Sequence, residues 1–283
     1  MISSTPASEK ELSEGLIRIT DPDKPIYRIF PLWFLEEALR LRQLVLIPPR
    51  SWEDPYEIVG DAIQVSRWEG DRWQQEIINQ SLPPAYAQCW SETSESDTLL
   101  RAYSRVVKDP HFGRNTCPRD EGVRVRTTPR KLLRAIIEGT RSAPKGSCFL
   151  GSVQYLSEEG VLQTIANAIG HVGKEVFRIP SNRAKLLLLK RMAFAHEAEI
   201  RIIYVRDQSE PALPLLRVPI RPNEVFDQIT FDPRLSAFER VERETVIRSL
   251  GYEGELTESL LYMGALLEVA LNAPDRPIDK DTK

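Results

Sequence analysis

Residues 197–205 read Glu-Ala-Glu-Ile-Arg-Ile-Ile-Tyr-Val, the clearest alternating stretch in the chain. Successive side chains of an extended backbone point to opposite faces, so this segment is committed to a strand. Ala198, Ile200, Ile202 and Tyr204 share an apolar face. Glu197, Glu199 and Arg201 share the other face. Spacing of two residues sets the two carboxylates about 7 Å apart with a cation beside them. A solvated outer face explains that pattern most simply. A cleft in which a carboxylate meets an electron-poor group is the functional reading.

The rest of the chain interleaves strands and helices without a regular rhythm. Pro25–Phe30 alternates as a strand, and Pro31 opens a helix to about Gln43. Leu44–Ile47, Ile58–Val65 and Ala85–Ser91 read as strands, with a helix over Arg72–Asn79 between the last two. Ser94–Asp97 forms an N-cap region for a helix carrying Leu99, Leu100 and Tyr103. Gly122–Arg126 is a strand, Pro129 starts a helix to about Gly139, and Ser147–Leu156 is a strand. Helices are expected over 158–169, 182–194, 235–250 and 258–272, and weaker strands over 215–220 and 225–231. No GxGxxG turn and no βαβ rhythm occur, which argues against a doubly wound nucleotide-binding sheet. The expected fold is α+β, with a mixed sheet or two packed sheets flanked by helices. Residues 1–20 and 274–283 are polar and are expected to be poorly ordered, leaving a single domain over 21–273.

Composition narrows the classes further. Over 283 residues the net charge is -3, which gives no general reason to expect a polyanion partner. Cys89, Cys117 and Cys148 are far apart and odd in number, so they read as free thiols in a reducing compartment. The N-terminal residues lack a signal-peptide core and the apolar runs are too short to span a membrane, so a cytoplasmic location is expected. His111, His171 and His196 form no HExxH, no GxSxG elbow occurs, and Gly170–Lys174 is only a fragment of a phosphate-binding loop.

Three further segments carry candidate chemistry. In 26–30, Ile26, Arg28 and Phe30 share a face, so Arg28 needs an internal carboxylate or a bound anion. In Trp52-Glu-Asp-Pro-Tyr-Glu57, the Asp-Pro step marks a turn whose aromatic residues pin a loop to the core. Ser91 at a strand end and Tyr103 on a helix can line a pocket or serve as a cap and a core residue. Asp54, Asp61, Glu197 and Glu199 supply carboxylates for a metal-dependent nuclease, though without ordered spacing.

These segments, in order, resemble a bacterial domain-of-unknown-function family. Its boxes appear here as Tyr27-Arg28, Trp52–Glu57, Cys89-Trp90-Ser91, Tyr103, and Lys190 with Glu197, Glu199 and Arg201. The resemblance covers roughly residues 25–205, and its order is more specific than any one box. Leu100 stands where the family often has a Trp, and an insertion over 109–121 delays the next strand. The layout is similar, more remotely, to the ADP-ribosyltransferase fold, which implies a split sheet and NAD as substrate. That resemblance implies Arg28, beside Tyr27, on the dinucleotide phosphates, Ser91 orienting a glutamate, and Tyr103 stacked on nicotinamide. It implies that Glu199 or Glu197, with Arg201 beside them, steadies the ribosyl centre.

The expected function is therefore NAD-dependent ADP-ribosyl transfer to a nucleic acid or protein, as a defence or toxin-type effector. A non-catalytic binding module on the same fold and a metal-dependent nuclease are the alternatives. Homo-oligomerisation is left open. The transferase expectation requires Arg28 and Glu199 to face one hollow.

Overall fold

The computed structural model describes residues 6–54, 56–57, 64–77, 82–143, 145–209 and 211–264. The chain begins with α1 (Glu9–Gly15) and β1 (Leu16–Ile17), then β2 (Ile26–Pro31), α2 (Leu32–Leu41) and β3 (Gln43–Leu46). A hairpin of β4 (Gln64–Glu69) and β5 (Arg72–Ile77) leads to β6 (Ala85–Ser91) and α3 (Asp97–Tyr103). Next come β7 (Gly122–Thr127), α4 (Pro129–Thr140), β8 (Gly146–Ser152), β9 (Gln154–Leu156) and α5 (Glu158–Val172). Then follow α6 (Pro180–Leu186), β10 (Leu189–Arg191), β11 (Glu199–Arg206) and β12 (Leu216–Pro219). The described chain closes with α7 (Pro222–Val225), β13 (Gln228–Phe231), α8 (Ala237–Ser249) and β14 (Glu255–Glu258).

Eight of these strands form one mixed sheet in the order β1-β8-β11-β6-β2-β7-β13-β14. The outer pairs β1–β8 and β13–β14 are parallel, and the pairs between them are antiparallel. Ile200, Ile202 and Tyr204 of β11 join Ile26, Phe30, Trp90 and Val125 in the larger core, together with Leu35 of α2 and Leu132 of α4. Ile203 and Val205, on the opposite face, pack with Ala85, Ala87, Phe149 and Ala184. Both faces of the central strands are thus covered, so an α+β fold with a large mixed sheet flanked by helices is what the alternation produced. Among the described residues no helix is long and apolar enough to cross a membrane.

Several expectations fail for local reasons. The stretch 9–17, expected within a poorly ordered arm, is built into the fold. Ser8 and Glu11 form a capping box, Leu12 is buried, and Leu16–Ile17 pairs with β8. The helix expected over 72–79 is instead a strand over 72–77, paired with β4 around a turn at Gly70, where φ is +69°. The Trp68–Trp73 cross-strand contact supports that pairing. The helix expected over 182–194 stops at Leu186, because the following leucines are each buried on irregular backbone and β10 pairs with β9. The strand expected over 147–156 breaks at Val153, so β9 leaves the main sheet to join β10. Residues 255–258 are a strand and 259–264 are not helical. The expected strand at 58–63 and the tail at 274–283 lie outside the described residues.

Gly139, near the end of α4, packs against β12. A Cβ there would sit 2.3 Å from the Pro219 carbonyl oxygen and 2.6 Å from a Val218 methyl. In a free helix, alanine would gain about 1 kcal/mol over glycine. Here the overpacking costs roughly 1–3 kcal/mol and wins. Gly139→Ala is expected to lower the melting temperature. An unchanged or higher value would show that α4 and β12 can move apart freely.

Candidate functional site

The main sheet is weakly joined at its centre. β2 pairs with β7 along its whole length, from Ile26↔Thr127 to Pro31↔Gly122. β6 pairs with β11 over seven positions, from Glu199↔Ser91 to Val205↔Ala85. Between β2 and β6, however, the one paired position is Tyr27↔Ser91. A cleft of about 450 Å³ lies at this split, with Tyr27 and Arg28 of β2 and Cys89, Trp90 and Ser91 of β6 in its wall. Tyr103, Glu197 and Glu199 line the same cleft. The structure therefore brings together six of the seven residues that the transferase resemblance gave a role. The seventh, Arg201, lies directly beneath, fully buried.

The acidic side of the cleft rests on a buried ion cluster. Arg201 donates to both oxygens of Glu199, from Nε at 3.0 Å and from Nη2 at 2.8 Å. Its Nη1 donates to the Leu187 carbonyl at 2.6 Å, and its guanidinium lies 4.2 Å from the centre of the Trp52 ring. Lys190 Nζ sits 2.6 Å from Glu197, 2.9 Å from Glu57 and 3.1 Å from Glu199. Glu57 also approaches Arg201 at 3.1 Å. Burial by itself pushes the Glu199 carboxyl up, but the adjoining Arg201 and Lys190 cations outweigh it and hold the group at about 2. Burial pulls the Lys190 ammonium down, and Glu199, Glu197 and Glu57 together reverse this and raise it. Cys89 stays a thiol, since burial and the Glu199 charge push it up.

Glu199 and Arg201 do not lie on a solvated face: every residue of β11 is buried. Glu197 does not belong to the strand. It ends a 3₁₀ turn, and Ala198 follows in the left-handed region at φ 42°, ψ 54°. This turn is why the two carboxylates meet one ammonium instead of standing a strand repeat apart. Ser91 Oγ donates to the Glu197 carbonyl at 2.6 Å and accepts the Thr93 N–H at 3.0 Å. It therefore orients the backbone of Glu197, not its carboxylate.

Arg28 reaches into the split, where Nη1 donates to the Cys89 carbonyl and the guanidinium lies 5.0 Å from the Phe30 ring centre. Among the described residues its buried Nε has no hydrogen-bond partner. Burial draws this guanidinium below its ordinary value, as expected for a cation short of counter-charge. Tyr103 stands at the cleft edge, 51% exposed, its hydroxyl raised by burial and then by Glu197. The Trp52–Glu57 segment does pin a loop: Asp54 accepts from Arg191 Nε at 3.1 Å and from the Tyr56 N–H at 3.0 Å. Its other product, Glu57 beside Lys190, is a site residue the sequence did not single out as such.

Arg124 was also missed. It lies over the Tyr27 ring at 5.4 Å, pairs with Glu95 at 3.2 Å, donates to the Ser94 carbonyl and to Thr230, and keeps a buried Nε without a partner among the described residues. The available signal was Gly122-Val-Arg-Val-Arg126, whose valines fill one face and whose arginines occupy the other. Carboxylates suggested for a metal are held by bases instead: Asp54 by Arg191, Glu197 and Glu199 by Lys190. Asp61 lies outside the described residues.

No family model and no curated protein matches the chain. Among solved structures it is similar to Thermus sp. 2.9 DarT in complex with carba-NAD+, at 12% identity and TM-score 0.34, over 85% of this chain and 97% of that one. The same DarT in complex with ADP-ribosylated ssDNA gives 11% identity and TM-score 0.35, over 86% and 97%. Similarity this loose fixes no residue correspondence.

Because the Glu199 carboxyl is held at about 2, below the roughly 4.3 of an unfolded glutamate, its contribution to stability is present above that unfolded value. It is lost as pH falls from about 5 through about 2. Melting temperature should be level near neutrality and fall below about pH 5. Glu199→Gln leaves Arg201 and Lys190 short of charge and should cost about 3–5 kcal/mol at pH 7. It should also flatten the acid limb. A variant as stable as the wild type would mean that the cluster is not what holds this region.

Proposed function

We propose that the chain transfers ADP-ribose from NAD+ to a macromolecular acceptor. The observation that supports this is that one cleft carries both guanidinium groups and carboxylates. Its wall includes Arg28 and Arg124, each with a buried Nε that has no partner among the described residues, beside the hydroxyl residues Thr93, Ser94 and Ser96. It also includes Glu57, Glu197 and Glu199 around Lys190. A dinucleotide with an anionic diphosphate and a cationic nicotinamide riboside has complementary charges. Guanidinium forks suit the diphosphate. A fixed carboxylate suits the positive charge that grows on the ribose as nicotinamide leaves. In this reading Tyr103, an aromatic residue at the cleft edge, lies on the nicotinamide ring. Water exclusion would come from filling the cleft, since Arg201 and Glu199 at its base are already buried.

In this reading the acceptor is a nucleic acid or a protein, and the proposed role is that of a defence or toxin-type effector. The non-catalytic alternative draws on one specific observation: both oxygens of Glu199 are already bonded to cations. A binding module would hold a dinucleotide without releasing nicotinamide.

Incubation with labelled NAD+ and cell extract distinguishes these cases. Transfer predicts label on macromolecules together with free nicotinamide. Arg28→Ala should weaken NAD+ binding by about tenfold or more, the loss of one charge-assisted contact. NAD+ bound in calorimetry without any nicotinamide release would favour the binding module. No binding at millimolar NAD+ would remove both.

A further inference from the structure

The two acids of the cleft are not equivalent, and we infer that Glu197 is the reacting carboxylate, with Lys190 as its positioning residue. This rests on the transferase reading and assigns roles within that same site. Glu199 has little left to offer a ligand. Its two oxygens take Arg201 Nε, Arg201 Nη2 and Lys190, and its side chain is 5% exposed. A carboxyl held at about 2 is also a weak base for accepting a proton near neutrality. Glu197 lines the cleft as Glu199 does, but its side chain is 21% exposed, and among the described residues its side chain bonds only to Lys190, through Oε2. Its backbone is fixed twice, by Ser91 Oγ on its carbonyl and by the left-handed turn at Ala198. Lys190 fixes the side chain, and is itself held by Glu57 and Glu199 and capped by the Phe194 ring at 4.8 Å. Glu197, whose Oε1 bonds to no other described residue, thus lines the cleft on a rigid support.

The step balances as follows. The bond between C1′ of the ribose and the nicotinamide nitrogen breaks, and nicotinamide leaves neutral with the electron pair. The acceptor's nucleophilic atom bonds to C1′ and gives its proton to Oε1 of Glu197, while Oε2 stays on Lys190. Arg201, Glu199 and Glu57 do not touch the substrate in this account.

The test measures single-turnover nicotinamide release, ADP-ribose binding and melting temperature for wild type, E197Q, E199Q, K190M and K190R. E197Q is expected to slow release by about 100-fold or more with its melting temperature moved by no more than about 2 °C. E199Q is expected to lower the melting temperature, which separates a supporting acid from a reacting one. K190M should lower the release rate with little change in ADP-ribose affinity, and K190R should restore most of it. A wild-type rate in E197Q, or failure of K190R to recover anything, overturns the assignment while leaving the transferase reading intact. A wild type that releases no nicotinamide, yet binds ADP-ribose in a way that E197Q weakens, ends the transferase reading and retains Glu197 as the ligand-facing acid. No binding by the wild type overturns both.

Discussion

The architecture of the cleft depends on one buried cation. Arg201 is fully enclosed, and an isolated guanidinium in that position would cost several kcal/mol. Glu199 answers it with two hydrogen bonds, Glu57 with an ion contact, Leu187 with a carbonyl and Trp52 with a ring face. These partners come from three stretches of chain, around 52–57, 187–190 and 197–201. Satisfying one side chain therefore fixes where a loop, a short strand and a sheet strand must meet. Lys190 extends the same logic outward, since three carboxylates face only two cations here and the remaining negative charge lies at the cleft.

The weak central seam of the sheet supplies the other half of the site. Strands that pair along their length leave no room between them for a ligand. A single paired position between β2 and β6 leaves the ends of both strands free to splay, and polar groups of both open onto the gap. Arg28 occupies the seam itself, held by a carbonyl instead of a carboxylate. The guanidinium groups of the cleft thus come from β2 and β7, and its carboxylates from β11, the turn before it and the 52–57 loop.

Much of this was legible in residue patterns. The alternation at 197–205 gave a strand with apolar Ile200, Ile202 and Tyr204 inward, and the sheet is built on that face. Tyr27, Arg28, Ser91, Tyr103, Glu197 and Glu199 were all found by their place in ordered boxes, and all line one cleft. Alternation could not reveal that the charged face is also buried, because burial of Arg201 depends on the distant 52–57 loop packing against it. Nor could it reveal the left-handed Ala198, which removes Glu197 from the strand. The leucine run at 186–189 looked helical because helix and buried irregular chain share the same apolar density over so short a span. Likewise Arg72–Ile77 looked helical until its cross-strand partner was known, since a polar hairpin carries little periodic signal.

A crystal structure of the chain with ADP-ribose would test the central claim most directly. The account predicts the diphosphate between Arg28 and Arg124, and the ribose hydroxyls or C1′ within hydrogen-bond or contact reach of Glu197. A ligand bound away from the split between β2 and β6, or one lying in it with its phosphates toward Glu197 and Lys190, would contradict it.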